Sequence, residues 1–221
     1  MQFIKLKIGS NNLSNQKWFY GDLLGFHTSE LNNEELLITA GKTNLILSKK
    51  IVEPELYHFA FLIPTGSLES AIYFLENKGV ELLCHHRDKI IHFDTGRSIY
   101  FFDRDGNIGE FIERPLLPIA QKSTFEINDI ICLNEIGLPV ENPAKTSQKL
   151  IQHGIQPIDI NGFRDNFCWV GNHEGAMIVV KEGRHWLPTQ ISGVSNDFEL
   201  DYIENDTHFS IRFINGKLIL K

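Results

Sequence analysis

The order of predicted elements along the 221-residue chain limits its fold more than any other feature. In the first unit, alternating apolar residues predict a strand over 3–8, and helical spacing predicts a helix over 14–24 with Gly25 as its C-terminal cap. Three further strands follow, near 27–31, 35–40 and 44–48. The same order, a strand, a helix and then three strands, returns from residue 58 onward. The sequence therefore predicts an α+β protein built from repeated βαβββ units.

The rest of the chain divides less evenly. Residues 115–126 contain Pro115 and Pro118 and are predicted to be a linker. A third unit follows, with a strand over 131–140, a helix over 143–153 and strands near 156–160, 166–170 and 176–181. The last residues predict strands but no helix. We therefore predict a two-unit module over 1–114, the linker over 115–126, and a partial or rearranged module with a β-rich tail over 127–221.

Residues 98–113 form the most distinctive segment of the second unit. They predict a strand, an Asp-Gly-Asn turn and a second strand that carries one carboxylate, Glu110, among apolar residues. Alternation places Ile108, Glu110 and Ile112 on one face of that strand. Because burial of an unpaired charge is costly, Glu110 needs a partner, which could be a metal, a lysine or a substrate.

This hairpin resembles the closing hairpin of the vicinal oxygen chelate superfamily, which includes glyoxalase I, extradiol dioxygenases, fosfomycin-resistance enzymes and bleomycin-binding proteins. Arg104 stands where the acidic turn of the family usually has a proline. Residues 18–26 resemble the first helix of the family, and residues 57–63 resemble the strand that opens its second half. The resemblance implies a curved mixed sheet around a concave cavity with helices outside. It also implies a lyase or a dioxygenase-like oxidoreductase that acts on a small oxygenated molecule.

Carried over residue by residue, the resemblance implies metal ligands at His58 and Glu110 for a divalent ion, with Zn, Fe, Mn and Ni as candidates. Lys5 stands at the position of a first-strand ligand, and its ammonium group would repel such an ion. The alternative is a metal-free protein that sequesters a small molecule, in which Lys5 replaces the metal and pairs with Glu110. In a minor variant of this alternative, Lys5 and Glu110 are catalytic residues. The sequence leaves these alternatives open.

Other residues are candidates for substrate binding. Lys7 shares a strand face with Lys5, and Ala60 and Leu62 share a face with His58. The further candidates are Tyr100, in the strand before the acidic turn, and Glu135. In the third unit, Glu135 occupies the position of a first-strand ligand, and counting from Gly175 places Val179 where Glu110 lies in the second unit.

Charge and composition exclude several classes of function. The net charge of −7 argues against nucleic acid or an anionic membrane as the main partner. No glycine-rich phosphate loop is present, so we expect no nucleotide cofactor. Three cysteines without C-x-x-C spacing fit reduced thiols, and no apolar run has the length of a membrane span. We therefore expect a cytoplasmic protein with a small-molecule ligand, and a homodimer is one expected assembly.

Overall fold

A computed structural model describes residues 1–50, 55–158 and 166–221, and its strands form two curved mixed sheets. The strands are β1 (Gln2–Ser10), β2 (His27–Asn32), β3 (Glu35–Ala40), β4 (Thr43–Lys49), β5 (His58–Ile63), β6 (Leu82–Leu83), β7 (Ile91–Phe93), β8 (Gly96–Phe102), β9 (Ile108–Glu113), β10 (Cys132–Val140), β11 (Phe167–Asn172), β12 (Gly175–Lys181), β13 (Phe198–Glu204), β14 (Thr207–Ile214) and β15 (Lys217–Leu220). The helices are α1 (Leu13–Lys17), α2 (Leu68–Asn77) and α3 (Pro143–Gln152). The predicted α+β class is confirmed.

The first predicted helix is present but changes type along its length. Asn12 caps α1 by accepting a hydrogen bond from the backbone N–H of Asn15. A π-helical segment, Trp18–Leu24, continues it and ends at Gly25, whose φ of 93° is a left-handed conformation that favours glycine. The predicted cap is therefore confirmed.

Each sheet combines strands from both sides of residues 115–126. Sheet A has the order β15-β14-β13-β1-β4-β3-β2, and sheet B has the order β11-β12-β10-β5-β9-β8-β6, with β7 beside β8. In both sheets the first strand of a unit lies at the centre: β1 pairs with β4 and β13, and β5 pairs with β9 and β10. The second unit therefore completes its sheet with the third unit, and the first unit does so with the tail.

The strands of residues 1–114 lie in two different sheets, with β1 to β4 in sheet A and β5 to β9 in sheet B. Strand β5 has β10 as its antiparallel neighbour on one side and β9 as its parallel neighbour on the other. Residues 115–126 lie between β9 and a 3-10 turn over Ile127–Asp129, without helix or strand of their own. The proposed boundaries at 114 and 127 remain a prediction, and the predicted strand over 156–160 runs beyond the described residues.

The centre of sheet B is buried on both faces. Every residue of β5, β9 and β10 is buried, including the polar residues of these strands. The side of β5 that carries Phe59 and Phe61 belongs to the main apolar core, while the side that carries His58 faces the second cluster around Trp186. Among the described residues, no helix combines the length and apolar character needed to cross a bilayer.

Candidate metal centre

A row of side chains crosses the middle of sheet B. In the strand register, Glu110 of β9 lies beside Ala60 of β5, and Ala60 lies beside Glu135 of β10. Tyr100 of β8 is the partner of Glu110 on its other side. Residues in register across neighbouring strands project to the same face of a sheet. The two carboxylates therefore flank the small side chain of Ala60 on one face.

His58 joins this row because it lies two residues before Ala60 on the same strand and so faces the same way. Its Nε2 atom is 3.3 Å from Oε2 of Glu110, and its Nδ1 atom is 3.2 Å from the backbone carbonyl oxygen of Ile108. A carbonyl oxygen can only accept a hydrogen bond, so Nδ1 carries the hydrogen and donates it. In the neutral ring, Nε2 then holds a lone pair directed toward Glu110. This is the arrangement that metal-binding histidines use.

His58, Glu110 and Glu135 could together hold one ion. One ligand atom from each of the three residues lies within 4.8 Å of the other two, and all three side chains are buried. Burying two carboxylates beside each other is unfavourable unless a cation compensates them. One imidazole and two carboxylates also form a donor set that suits divalent first-row metals. The chemistry of these residues therefore fits a divalent metal.

The pKa values of the cluster reflect this crowding. Burial raises the pKa of Glu135 to about 7, because the charged form loses hydration; Glu110 adds to the rise, and Arg114 and His58 oppose it. Burial by itself would lower the pKa of His58, but its contact with Glu110 and the charges of Glu110 and Glu135 raise that pKa overall. Protons therefore compete with any cation for this site.

Arg114 places a permanent positive charge beside Glu135. It lies directly after β9, its side chain is 1% exposed, and it forms an ion pair with Glu135. Its Nε donates to Oδ1 of Asn134 at 3.0 Å, and its Nη1 donates to Oγ1 of Thr95 at 2.8 Å. The guanidinium carbon also lies 4.4 Å from the ring centre of Trp169. Arg114 therefore holds Glu135 in place and neutralises part of its charge.

The cluster opens into a cavity of about 220 Å³. Aromatic side chains form much of the wall, and the ring of Trp186 lies 5.0 Å from that of His58, centre to centre. The described lining residues are His58, Phe93, Tyr100, Glu110, Ile112, Arg114, Glu135, Phe167, Trp169, Ile178, Arg184, Trp186 and Leu187. A cavity with apolar walls and a few convergent polar groups is typical of a small-molecule site.

The structure separates the two predicted lysines from this cavity. Nζ of Lys5 lies 2.5 Å from a carboxylate oxygen of Asp201, and Nζ of Lys7 lies 2.5 Å from one of Glu35, all within sheet A. The predicted pair between Lys5 and Glu110 is not formed among the described residues. The reason is the strand order: β1 has β13 as its neighbour, so a carboxylate of β13 neutralises Lys5.

The remaining candidates divide between the cavity and its surroundings. Tyr100 and Glu135, the two further candidates for substrate binding, line the cavity. Ala60 and Leu62 pack instead with Ile112 and Cys132, beneath residues 117–119. Counting from Gly175 chose the wrong residue of β12 as the counterpart of Glu110. Val179 belongs to the apolar core, and Ile178 is the β12 residue that faces the cavity.

Sequence reasoning missed Arg114, Trp169, Arg184 and Trp186. Arg114 directly follows the predicted strand over 108–113, so its position at the end of a site strand was a usable signal. The other three lie in the third unit, and only the pairing of β10 with β5 brings that unit beside His58. Because these three residues are far from His58 in sequence, no local pattern indicated that they line the same cavity.

One solved structure that matches almost the whole chain supports the fold. A dioxygenase-like protein from Bacillus subtilis superposes with a TM-score of 0.61 at 13% identity, covering 99% of this chain and 83% of that chain. A lactoylglutathione lyase from Agrobacterium tumefaciens matches at a TM-score of 0.44 and 16% identity, covering 53% of this chain and 96% of its own. A glyoxalase family protein from Bacillus anthracis matches at a TM-score of 0.44 and 15% identity, covering 52% of this chain and 95% of its own. No protein-family model and no curated protein match the sequence.

Proposed function

This chain has the fold of the vicinal oxygen chelate superfamily, and from that premise we propose that it is a metal-dependent enzyme of the lyase or dioxygenase-like class. Its substrate would be a small oxygenated molecule bound in the cavity of sheet B. One observation carries the proposal: His58, Glu110 and Glu135 come from three adjacent strands and converge, buried, on one point of the cavity wall.

Some residues of the cavity would bind the ion, and others would orient the substrate. Nε2 of His58 and one carboxylate oxygen each from Glu110 and Glu135 would hold the ion. A bound divalent ion would supply Lewis acidity to two adjacent oxygen atoms of the substrate. Burial and the nearby carboxylates raise the pKa of Tyr100 well above its usual value, so its hydroxyl stays protonated and can donate a hydrogen bond to a substrate oxygen. Trp186 covers His58 and limits access of water.

A second candidate function is metal-free binding of a small molecule. The observation that favours it is the ion pair of Arg114 with Glu135, because a permanent cation already neutralises one carboxylate of the cluster. In this alternative Arg114 takes the part that the sequence suggested for Lys5, whose partner is Asp201.

Metal content separates the two candidates. We would measure it by plasma mass spectrometry in the purified protein after loading with Mn, Fe, Ni or Zn. The variants are Glu110→Gln and Glu135→Gln, which keep the shape of the side chain but remove a strong ligand. Glu199→Gln is the matched control, because Glu199 is a partly buried strand carboxylate of sheet A, paired with Arg212.

The metal-dependent function predicts about one equivalent of metal in the parent protein and in Glu199→Gln. It predicts a large loss in both cluster variants, with unchanged circular dichroism. If no loading condition gives stoichiometric metal in the parent protein, the metal-dependent function is rejected and the binding function takes its place.

A further inference from the structure

The cavity wall carries a further charged residue, Arg184, which is not among the candidate metal ligands. Arg184 lies in the turn after β12, and its guanidinium carbon is 5.2 Å from the ring centre of Phe167, which also lines the cavity. Its side chain is partly buried. No carboxylate within salt-bridge distance of Arg184 is found among residues 1–50, 55–158 and 166–221. A partly buried cation therefore faces a small-molecule cavity without a described counterion.

The backbone fixes the position of Arg184. Its N–H donates to the carbonyl oxygen of Lys181 at 3.0 Å, and its own carbonyl oxygen accepts from the N–H of Gly193 at 2.8 Å. The side chain therefore starts from an anchored turn and lies against an aromatic wall, which reduces the conformational entropy that binding would cost. Such preorganisation is expected of a residue that binds a ligand.

The charges that line the cavity indicate what Arg184 would bind. Glu110 and Glu135 are balanced by Arg114 and Arg184, so a divalent ion in the cluster would leave two positive charges uncompensated. A ligand with two negative groups restores neutrality, one at the ion and one at Arg184. A carboxylate fits the planar fork of one guanidinium through two parallel hydrogen bonds. Net charge alone would also permit one dianionic phosphate, so the planar shape of the carboxylate is the reason for assigning it to Arg184.

The size and walls of the cavity describe the body of the ligand. A cavity of about 150 Å³ lined by apolar side chains holds benzene, and this one has about 220 Å³. Trp169, Trp186 and Phe167 provide flat apolar surfaces against which a ring can stack. One substituted ring fits this space.

We propose that Arg184 is a specificity-determining residue that binds a carboxylate, and that the ligand is a small planar carboxylate whose opposite end lies at the His58 cluster. The assignment of the inner end depends on the proposed metal-dependent function, whereas the contact with Arg184 can be measured without metal. The substrate class is thereby narrowed to single-ring or similarly sized planar acids.

The experiment compares two probes of nearly equal shape, para-fluorobenzoate and para-fluorobenzamide, by fluorine NMR titration. It uses the full chain, both treated with EDTA and loaded with the metal that it retains. Arg184→Gln removes the charge, and Lys181→Gln is the matched control, since Lys181 is an exposed cation near the start of the same turn. Phenyl phosphate serves as a third probe and distinguishes a carboxylate site from a phosphate site.

The proposal predicts that the parent protein and Lys181→Gln bind the benzoate about tenfold more tightly than the amide, as expected for a charge-assisted hydrogen bond. In Arg184→Gln this preference should fall to near unity, while metal content stays unchanged. The proposal is overturned if the parent binds neither aromatic probe, if it shows no preference, if Arg184→Gln keeps the preference, or if phenyl phosphate binds more tightly. If the protein binds no metal, the proposed metal-dependent function is rejected. The preference of the EDTA-treated protein for the benzoate over the amide would still decide whether Arg184 binds a carboxylate.

Discussion

Replacing Arg114 by methionine tests the electrostatics of the cluster most directly. The substitution removes the ion pair with Glu135 and leaves a chain of similar length beside Trp169. Breaking a buried ion pair by removing one partner costs about 3–5 kcal/mol, because the other charge stays buried without compensation. Since Arg114 is 1% exposed on its side chain, screening by solvent does not reduce this cost. We expect Arg114→Met to lose about 3–5 kcal/mol of unfolding free energy once the pH exceeds the pKa that Glu135 has in the variant.

The loss should depend on pH in a defined direction. The pKa of Glu135 is raised from 4.5 to about 7 in the folded protein, so the folded state binds this proton more tightly than the unfolded state does. The stability that this proton contributes is complete below about pH 4.5 and is lost as the pH rises through 7. Without Arg114 this pKa rises further, since Glu110 remains and only His58 opposes it. Above about pH 7 the variant then loses stability relative to the parent by about 1.4 kcal/mol per pH unit, until its own pKa is reached.

Urea unfolding near about pH 5.5 and about pH 8.5, in EDTA, measures this difference. The control is Arg212→Met, which removes a partly exposed ion pair with Glu199 and should cost less than about 1 kcal/mol at both pH values. Equal losses for Arg114→Met at the two pH values would refute the reasoning. A loss as small as that of the control would also refute it.

Two further substitutions test the support of the site. In Gly137→Ala the new Cβ would lie 2.7 Å from the ring of Trp186, so the ring must shift from its place beside His58. We expect changed tryptophan fluorescence and weaker binding of para-fluorobenzoate, and an unchanged spectrum would contradict this packing. Tyr20→Phe removes a 3.0 Å hydrogen bond to the buried carboxylate of Asp103 and should cost about 1.5–3 kcal/mol in urea unfolding. Tyr73→Phe, at an exposed position, should cost nothing measurable.

Local sequence patterns predicted the helices and strands of each unit well, because residues close together in sequence determine these elements. The turn at Asp103 and the alternation around Glu110 lie within one hairpin, and the motif there was sufficient to predict the fold class. The cap at Gly25 follows in the same way from a conformation that glycine adopts most readily.

The choice of partner between units was not predictable in this way. The local pattern of β1 or β10 does not state which strand lies beside it, because that choice depends on contacts between residues far apart in sequence. That decision placed Glu135 beside Glu110 and gave Lys5 a different partner, Asp201. An error of one residue in counting along β12 likewise exchanged Val179 for Ile178, because adjacent strand residues face opposite sides.

The order of units in the two sheets also bears on how the chain reaches its native state during synthesis. Sheet B is assembled from segments that follow one another, so β5 can meet β10 once about two thirds of the chain has left the ribosome. Sheet A must wait, because β1 acquires its neighbour β13 only when the last strands emerge. Until then β1 has an unpaired edge, and an unpaired strand edge can pair with another chain. The cavity could therefore form before the sheet that contains the first residues of the chain is closed.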